Sequence, residues 1–218
     1  MPQDDAASDP ATSPFLDLLD WRRRVCDLYA GVRRERQTDP QAAHARWVAG
    51  REALFRQHPQ SPVPPQERPG FGGPQVWPYD PAYALTAELQ TDLAPQRFTV
   101  ITSAGHEMPL VRAGRLHCEL GALDLYWIDV YGGGLFLPFR DATSGAPGPA
   151  GSYGGGRYLL DTVKGADLGS DARGRLHLDF NFAYHPSCFY DPRWSCPLAP
   201  PANRLAAAVR AGERGGGR

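Results

Sequence analysis

Phe98-Thr99-Val100-Ile101-Thr102, Glu107-Met108-Pro109-Leu110-Val111-Arg112-Ala113, Arg115-Leu116-His117-Cys118-Glu119-Leu120 and the run Leu123 to Tyr131 decide the fold. Each is a short run of β-branched, aromatic and aliphatic residues bounded by turn formers, the pattern of successive strands. Working outward, Tyr83–Leu89 precedes them, and Leu135–Phe139, Tyr158–Val163 and Leu176–Tyr184 follow. Seven or eight short strands at this spacing predict an antiparallel barrel-like sheet. Ala113-Gly114 and Gly132-Gly133-Gly134 read as its hairpin turns. The 24 glycines and 22 prolines fit a β-rich body with an irregular periphery. Nowhere does a strand, a glycine-rich loop and a helix follow in the order that a nucleotide-binding α/β unit needs.

The N-terminal part has a different period. Ser13-Pro14 is a start signal, with proline at the first helical position, where its missing N–H does no harm. Phe15, Leu18, Leu19, Val25, Tyr29 and Val32 then recur at helical spacing. Asp39-Pro40 repeats the signal, and Ala43, Trp47, Gly50 and Leu54 share one face of a second helix ending near His58-Pro59. The expected organisation is a disordered tail over 1–12, an αα-hairpin over 13–58, a β-rich body over 59–211 and a disordered tail over 212–218, with 13–211 one folded unit. Gly145–Gly151 is expected as a surface loop.

Charge is nearly balanced, 23 basic against 24 acidic residues, which gives no electrostatic case for a nucleic-acid or membrane-surface partner. No apolar run approaches the roughly 20 residues of a membrane span. The start, Met1-Pro2-Gln3-Asp4-Asp5, lacks the basic-then-apolar order of a signal peptide, so a cytoplasmic protein with reduced thiols is expected.

The stretch from Gly132 to Leu198 is too rich in Gly, Arg, Asp, Asn, Tyr and Cys for an ordinary core, where each unpaired buried polar group costs about 1–3 kcal/mol. Gly154, Gly155 and Gly156 can turn backbone amides to one side as an anion cradle, with Arg157 as a charged fork beside it. The same glycines equally suit a tight turn, with Arg157 paired to a structural carboxylate. Strand alternation places Leu176, Leu178, Phe180, Phe182 and Tyr184 on the core face. Asp179 and Asn181 face the other way, toward solvent or a pocket where Asp179 could act as a general base.

Cys188 and Cys196 stand eight apart, with His185 three before the first. Zinc wants a closer pair and four ligands, and no metal site is read. A Cys188 nucleophile with His185 as its base, a redox pair and simple burial remain open, with burial the leading reading.

At these residues the chain resembles the bacterial and archaeal family catalogued as domain of unknown function 1684, over roughly Leu16 to Glu213. The resemblance is carried by His58-Pro59-Gln60-Ser61-Pro62, Leu135-Phe136-Leu137-Pro138-Phe139-Arg140-Asp141 and Thr143-Ser144-Gly145. It continues through Tyr153 to Tyr158, Asp179-Phe180-Asn181, Tyr184, Pro186, Cys188, Tyr190, Cys196-Pro197, Asn203 and Ala211-Gly212-Glu213. It implies no activity. It does imply that position 185 is usually Asn, so a Cys188–His185 dyad is not the family's machinery. Ala202 stands where Glu is usual, and Ala146–Ala150 lengthen a shorter loop.

The reading that follows is a small polar or anionic molecule held by Gly154, Gly155, Gly156, Arg157, Asp179, Asn181 and Tyr184 at the mouth of a barrel, its cofactors unknown. One rival is an enzyme in the same pocket, with Asp179 as acid/base, Arg157 as charge stabiliser and Cys188 as nucleophile. The other is a structural or interaction module whose polar motifs lock loops.

Overall fold

The computed structural model describes residues 13–215, so the expected tail over 1–12 lies outside the described residues. Two helices, α1 (Pro14–Glu35) and α2 (Pro40–Gln57), form the expected hairpin. The Asp39 carboxylate accepts from the Ala42 amide and caps α2, whereas Ser13 makes no side-chain cap to α1. None of the described helices is long and apolar enough to cross a membrane.

The body holds eight strands: β1 (Ala84–Ala87), β2 (Leu89–Gln90), β3 (Arg97–Ile101), β4 (Glu107–Cys118), β5 (Gly121–Ile128), β6 (Leu135–Phe139), β7 (Arg157–Asp161) and β8 (Leu176–Asp179). β1 and β8 pair as a two-stranded ribbon. The other six form an antiparallel sheet in the order β2-β4-β5-β6-β7, with β3 also on β4. This sheet does not close: its outer strands find no partner in each other, which corrects the barrel-like expectation. The fold is α+β.

Two further expectations change. The runs on either side of Gly114 are one strand, β4, and Gly114 sits at a register shift against β5 between Arg112 and Gly114. A glycine at a bulge and a glycine in a turn look alike in sequence. A Cβ at Gly114 would lie 2.6 Å from the Gln90 carbonyl oxygen, so the close approach of β2 requires its absence. The strand expected over Leu176–Tyr184 stops at Asp179, whose carboxylate takes the Asn181 amide and turns the chain into a single 3-10 turn, Phe180–Phe182. The expected hairpin at Gly132–Gly134 is present between β5 and β6.

The sheet is covered on both sides, which is why β6 and β7 are buried almost continuously along their length rather than at alternate positions. Tyr29, Val32, Ala43 and Trp47 of the hairpin pack with Leu110, Tyr126, Phe136 and Tyr158 on one face. On the other face Leu125, Leu137, Phe139 and Leu159 meet Leu178 of the ribbon and Leu205, Val209 and Ala211 of the C-terminal segment.

That segment, 197–215, has no regular structure but is strapped across the body by backbone hydrogen bonds. Arg140 exchanges bonds with Asn203 and Leu205, Glu213 N–H donates to Ala183, and Trp77 N–H donates to Gly212. Gly212 and Glu213 are buried. The tail expected to begin at Gly212 therefore remains part of the fold through the last described residue, because its backbone groups are paired.

Gly114→Ala should lower the unfolding midpoint, at a cost of about 1–3 kcal/mol for overpacking against a backbone oxygen. Gly154→Ala is the control, since a Cβ there meets nothing closer than 3.6 Å. Thermal melts of the two variants check the difference.

Candidate functional site

Gly156 N–H donates to the Tyr153 carbonyl, closing a tight turn that delivers Arg157 to the start of β7. Gly156 takes a left-handed φ of 97°, and a Cβ there would lie 2.6 Å from the Phe139 carbonyl. The glycine triplet thus serves a turn rather than an anion cradle.

Arg157 is 0% exposed. Its Nη1 donates to the Ala211 and Glu213 carbonyls at 2.5 and 3.1 Å. Its Nη2 donates to the Val209 carbonyl at 2.8 Å and to Asp141 Oδ1 at 3.2 Å. The fork expected to hold a ligand is spent on the strap. Asp141 is saturated too, accepting from Val209 N–H, Thr143 and Ser144.

Asp179 and Asn181 belong to a separate cluster. Asn181 clamps Asp80, accepting from its N–H at 2.9 Å and donating to its carbonyl at 2.8 Å. Asp179 Oδ1 accepts from the Asn181 amide and side chain, and Oδ2 faces Arg36 at 3.8 Å. Burial raises the Asp179 pKa against those contacts. Both residues are fully enclosed, so the polar strand face turns inward to lock loops, not outward to a pocket, and no contact joins them to Arg157. The seven sequence-read residues do not assemble around one ligand.

Tyr184 is the exception. It lines a cavity of about 40 Å³ between the helical hairpin and the body, with Trp21, Arg51, Lys164, His185 and Ser187. Trp21 and Arg51 come from the hairpin, and the Arg51 guanidinium lies 4.8 Å above the Tyr184 ring. Tyr184 Oη and His185 Nδ1 are buried and find no hydrogen-bond partner in the protein. The Tyr153 amide donates to His185 Nε2 at 3.2 Å. The neutral ring therefore carries its hydrogen on Nδ1, a donor that faces Glu213 Oε2 at 3.8 Å, beyond hydrogen-bond reach. Burial, then Arg157 and Arg51, hold the His185 pKa well below its ordinary value. His185 does not pair with Cys188, which sets aside that dyad.

Sequence reasoning missed Glu213, the residue that organises this region. Its Oε1 accepts from Arg51 at 2.6 and 2.7 Å; its Oε2 accepts from His185 N–H at 2.7 Å and Tyr190 Oη at 3.0 Å. The one signal for it was its place at the end of the family pattern. Ala202 is exposed, while its neighbour Asn203 is buried and bonds Asp124 and Pro138.

All four cysteines are free thiols. Cys188 is half-buried in a second cleft, of about 330 Å³, with Tyr153, Phe189 and Glu67. A wider depression of about 540 Å³ on the hairpin is lined by Asp17, Asp20 and Asp27, and Asp20 there is already paired with Arg24 and His58. Among the described residues no group of His, Cys, Asp and Glu is arranged to hold a metal.

A family model described as "Protein of unknown function (DUF1684)" matches residues 69–214, the body and its strap. The solution NMR structure of the uncharacterized protein from gene locus rrnAC0354 of Haloarcula marismortui is similar. It is 32% identical, the match covering 81% of this chain and 96% of that one, with a TM-score of 0.52. No curated protein matches.

Arg157→Ala should cost about 3–5 kcal/mol, the penalty for stranding one member of a buried pair. Arg157→Lys should not rescue it, because a single ammonium cannot serve three carbonyls and a carboxylate. Urea unfolding checks both. His185 also gives the fold a pH dependence. Its folded pKa lies below the unfolded value of about 6.5, so the unfolded chain binds the extra proton on acidification. The stability His185 contributes is complete above about pH 6.5 and drains away as pH falls toward the depressed folded value. Melting temperature should fall between about pH 7 and pH 5, and His185→Asn should flatten that slope.

Proposed function

We propose that this chain, which belongs to the DUF1684 family of proteins of unknown function, binds a small molecule through an oxyanion group, carboxylate or phosphate, at the Tyr184–His185 cavity. The observation that carries the reading is the pair of buried, unpartnered donors, Tyr184 Oη–H and His185 Nδ1–H. Each costs about 1–3 kcal/mol unless something accepts from it. Lys164, whose side chain is 41% exposed and whose ammonium stands 3.8 Å from Asp161, lies at the rim. The nearest acceptor, Glu213 Oε2, stands 3.8 Å from His185 Nδ1 and already accepts from His185 N–H and Tyr190 Oη, so the two donors remain open to an acceptor-rich group. The cavity admits such a group and little else, so the remainder of the ligand would lie toward the Lys164 side. Tyr184 keeps the binding role expected of it, while Arg157, Asp179 and the glycines act as scaffold.

Phosphorylated and carboxylate metabolites, with inorganic phosphate and acetate as minimal probes, should shift the melting temperature. A compound at about 100 times its dissociation constant adds about 2.7 kcal/mol, or roughly 5–10 °C for a chain of this size. Tyr184→Phe removes only the hydroxyl. It should leave the free protein as stable or more stable and shrink the shift. Equal shifts in both proteins, or none from any compound, would overturn the reading.

A further inference from the structure

We propose that Cys188 and Cys196 form a peroxide-reactive dithiol, in which Cys188 is the attacking sulfur and Cys196 resolves it into a disulfide. This site is distinct from the oxyanion cavity and does not depend on it.

Position assigns the roles. Cys188 lies in a single 3-10 turn, Ser187–Phe189, at the wall of the cleft it shares with Tyr153, Glu67 and Phe189. Cys196 is 2% exposed and lies behind it. The chain between them doubles back: Asp191 N–H donates to Ser187, and Trp194 N–H donates to Asp191. That return places the Cys196 sulfur 3.3 Å from the Cys188 amide nitrogen, which donates to it. Ser103 Oγ accepts from Cys196 N–H at 3.0 Å and fixes the second cysteine from the other side. A reagent entering from the cleft therefore meets Cys188 first, with a second sulfur already beside it.

Hydrogen bonds assign the same roles. The Cys188 sulfur is 3.7 Å from Tyr153 Oη. Bonds from the Cys196 thiol first, and from Ser103 and Tyr153, outweigh burial and hold the Cys188 pKa at about 6. The bond to Cys188 and burial push the Cys196 thiol up, and Tyr153 is raised to about 12, so both keep their protons. Other charges around the pair are Glu67 and Asp191 at the cleft, Arg140 toward Tyr153 and Lys164 toward Cys196. The result is one thiolate with a protonated neighbour, the arrangement of an attacking and a resolving cysteine.

The chemistry balances with a hydroperoxide as oxidant. The Cys188 thiolate attacks the terminal peroxide oxygen; the S–O bond forms, the O–O bond breaks, and the leaving alkoxide or hydroxide takes a proton. The Cys196 thiol then attacks the Cys188 sulfur, the S–S bond forms, and the sulfenic oxygen leaves as water with the Cys196 proton. Two thiols are oxidised by two electrons, and the peroxide is reduced to water and an alcohol, or to two waters. A dithiol reductant reverses the product to the starting pair.

The test uses the whole protein, reduced and then treated with hydrogen peroxide. Peptide mass spectrometry should find Cys188 bridged to Cys196, with about 2 Da lost and recovered with dithiothreitol. Cys196→Ser should stop at a Cys188 sulfenic acid that dimedone captures, and Cys188→Ser should form neither product. Alkylation of Cys188 by iodoacetamide should titrate near pH 6 and move upward in Tyr153→Phe. A wild-type protein that yields neither bridge nor dimedone adduct overturns the proposal, independently of whether any variant folds. So does a Cys188→Ser protein that still yields a dimedone adduct, at Cys196, since the attacking sulfur would then be the other one.

Discussion

A guanidinium buried without any exposure constrains everything around it. Arg157 lies under the C-terminal strap, where taking a charge out of water costs several kcal/mol unless every donor is used. The chain offsets most of that cost at the two terminal nitrogens, with Asp141 and with three carbonyls of Val209, Ala211 and Glu213, two residues apart along the strap, while Nε is left without a partner. An extended segment exposes carbonyls at that interval, so the strap has to cross Arg157 in an extended conformation. Burial lowers the Arg157 pKa, and Asp141 offsets part of that loss, so the charge and the strap hold one another in place.

The same strap ties the helical layer to the body. Glu213 carries the last of the carbonyls that Arg157 binds, and its carboxylate reaches Arg51 of α2 with one oxygen and the loop at His185 and Tyr190 with the other. The loop from Tyr184 to Cys196 is thereby pinned twice, at His185 and at Tyr190. Tyr184 and the oxyanion cavity lie at the first pin, Cys188 and its cleft between the two, and the returning Cys196 beyond the second. Both candidate chemistries sit on a segment without long regular structure, whose geometry comes from hydrogen bonds to its neighbours.

What could be read in the sequence was the local part. The helical hairpin follows from apolar spacing and two Xaa-Pro starts, and the β5–β6 turn from its glycines. The sheet order followed less well, because Gly114 serves a bulge in a strand that continues, and a bulge needs the partner strand to be recognised. The dense polar stretch was legible as exceptional but not as scaffold. Arg157 answers to groups 16 to 56 residues away, and Asn181 to Asp80, 101 residues away. No local rule supplies such partners. Glu213 was obscured for the opposite reason: the Gly- and Arg-rich composition around it resembles a tail, while its burial depends on Arg51, 162 positions earlier.

That separation bears on how the chain reaches its native state. Closing a loop costs entropy that grows with its length, and contacts between distant residues are rewarded only after the intervening chain is ordered. The hairpin and the central β4–β5 pair depend on nearby sequence and can form early. The Arg51–Glu213 contact cannot. Until the strap docks, the Arg157 guanidinium lacks its carbonyl partners and the sheet face under Leu205, Val209 and Ala211 is uncovered. Contacts of such sequence separation predict that this layer is among the last to be ordered.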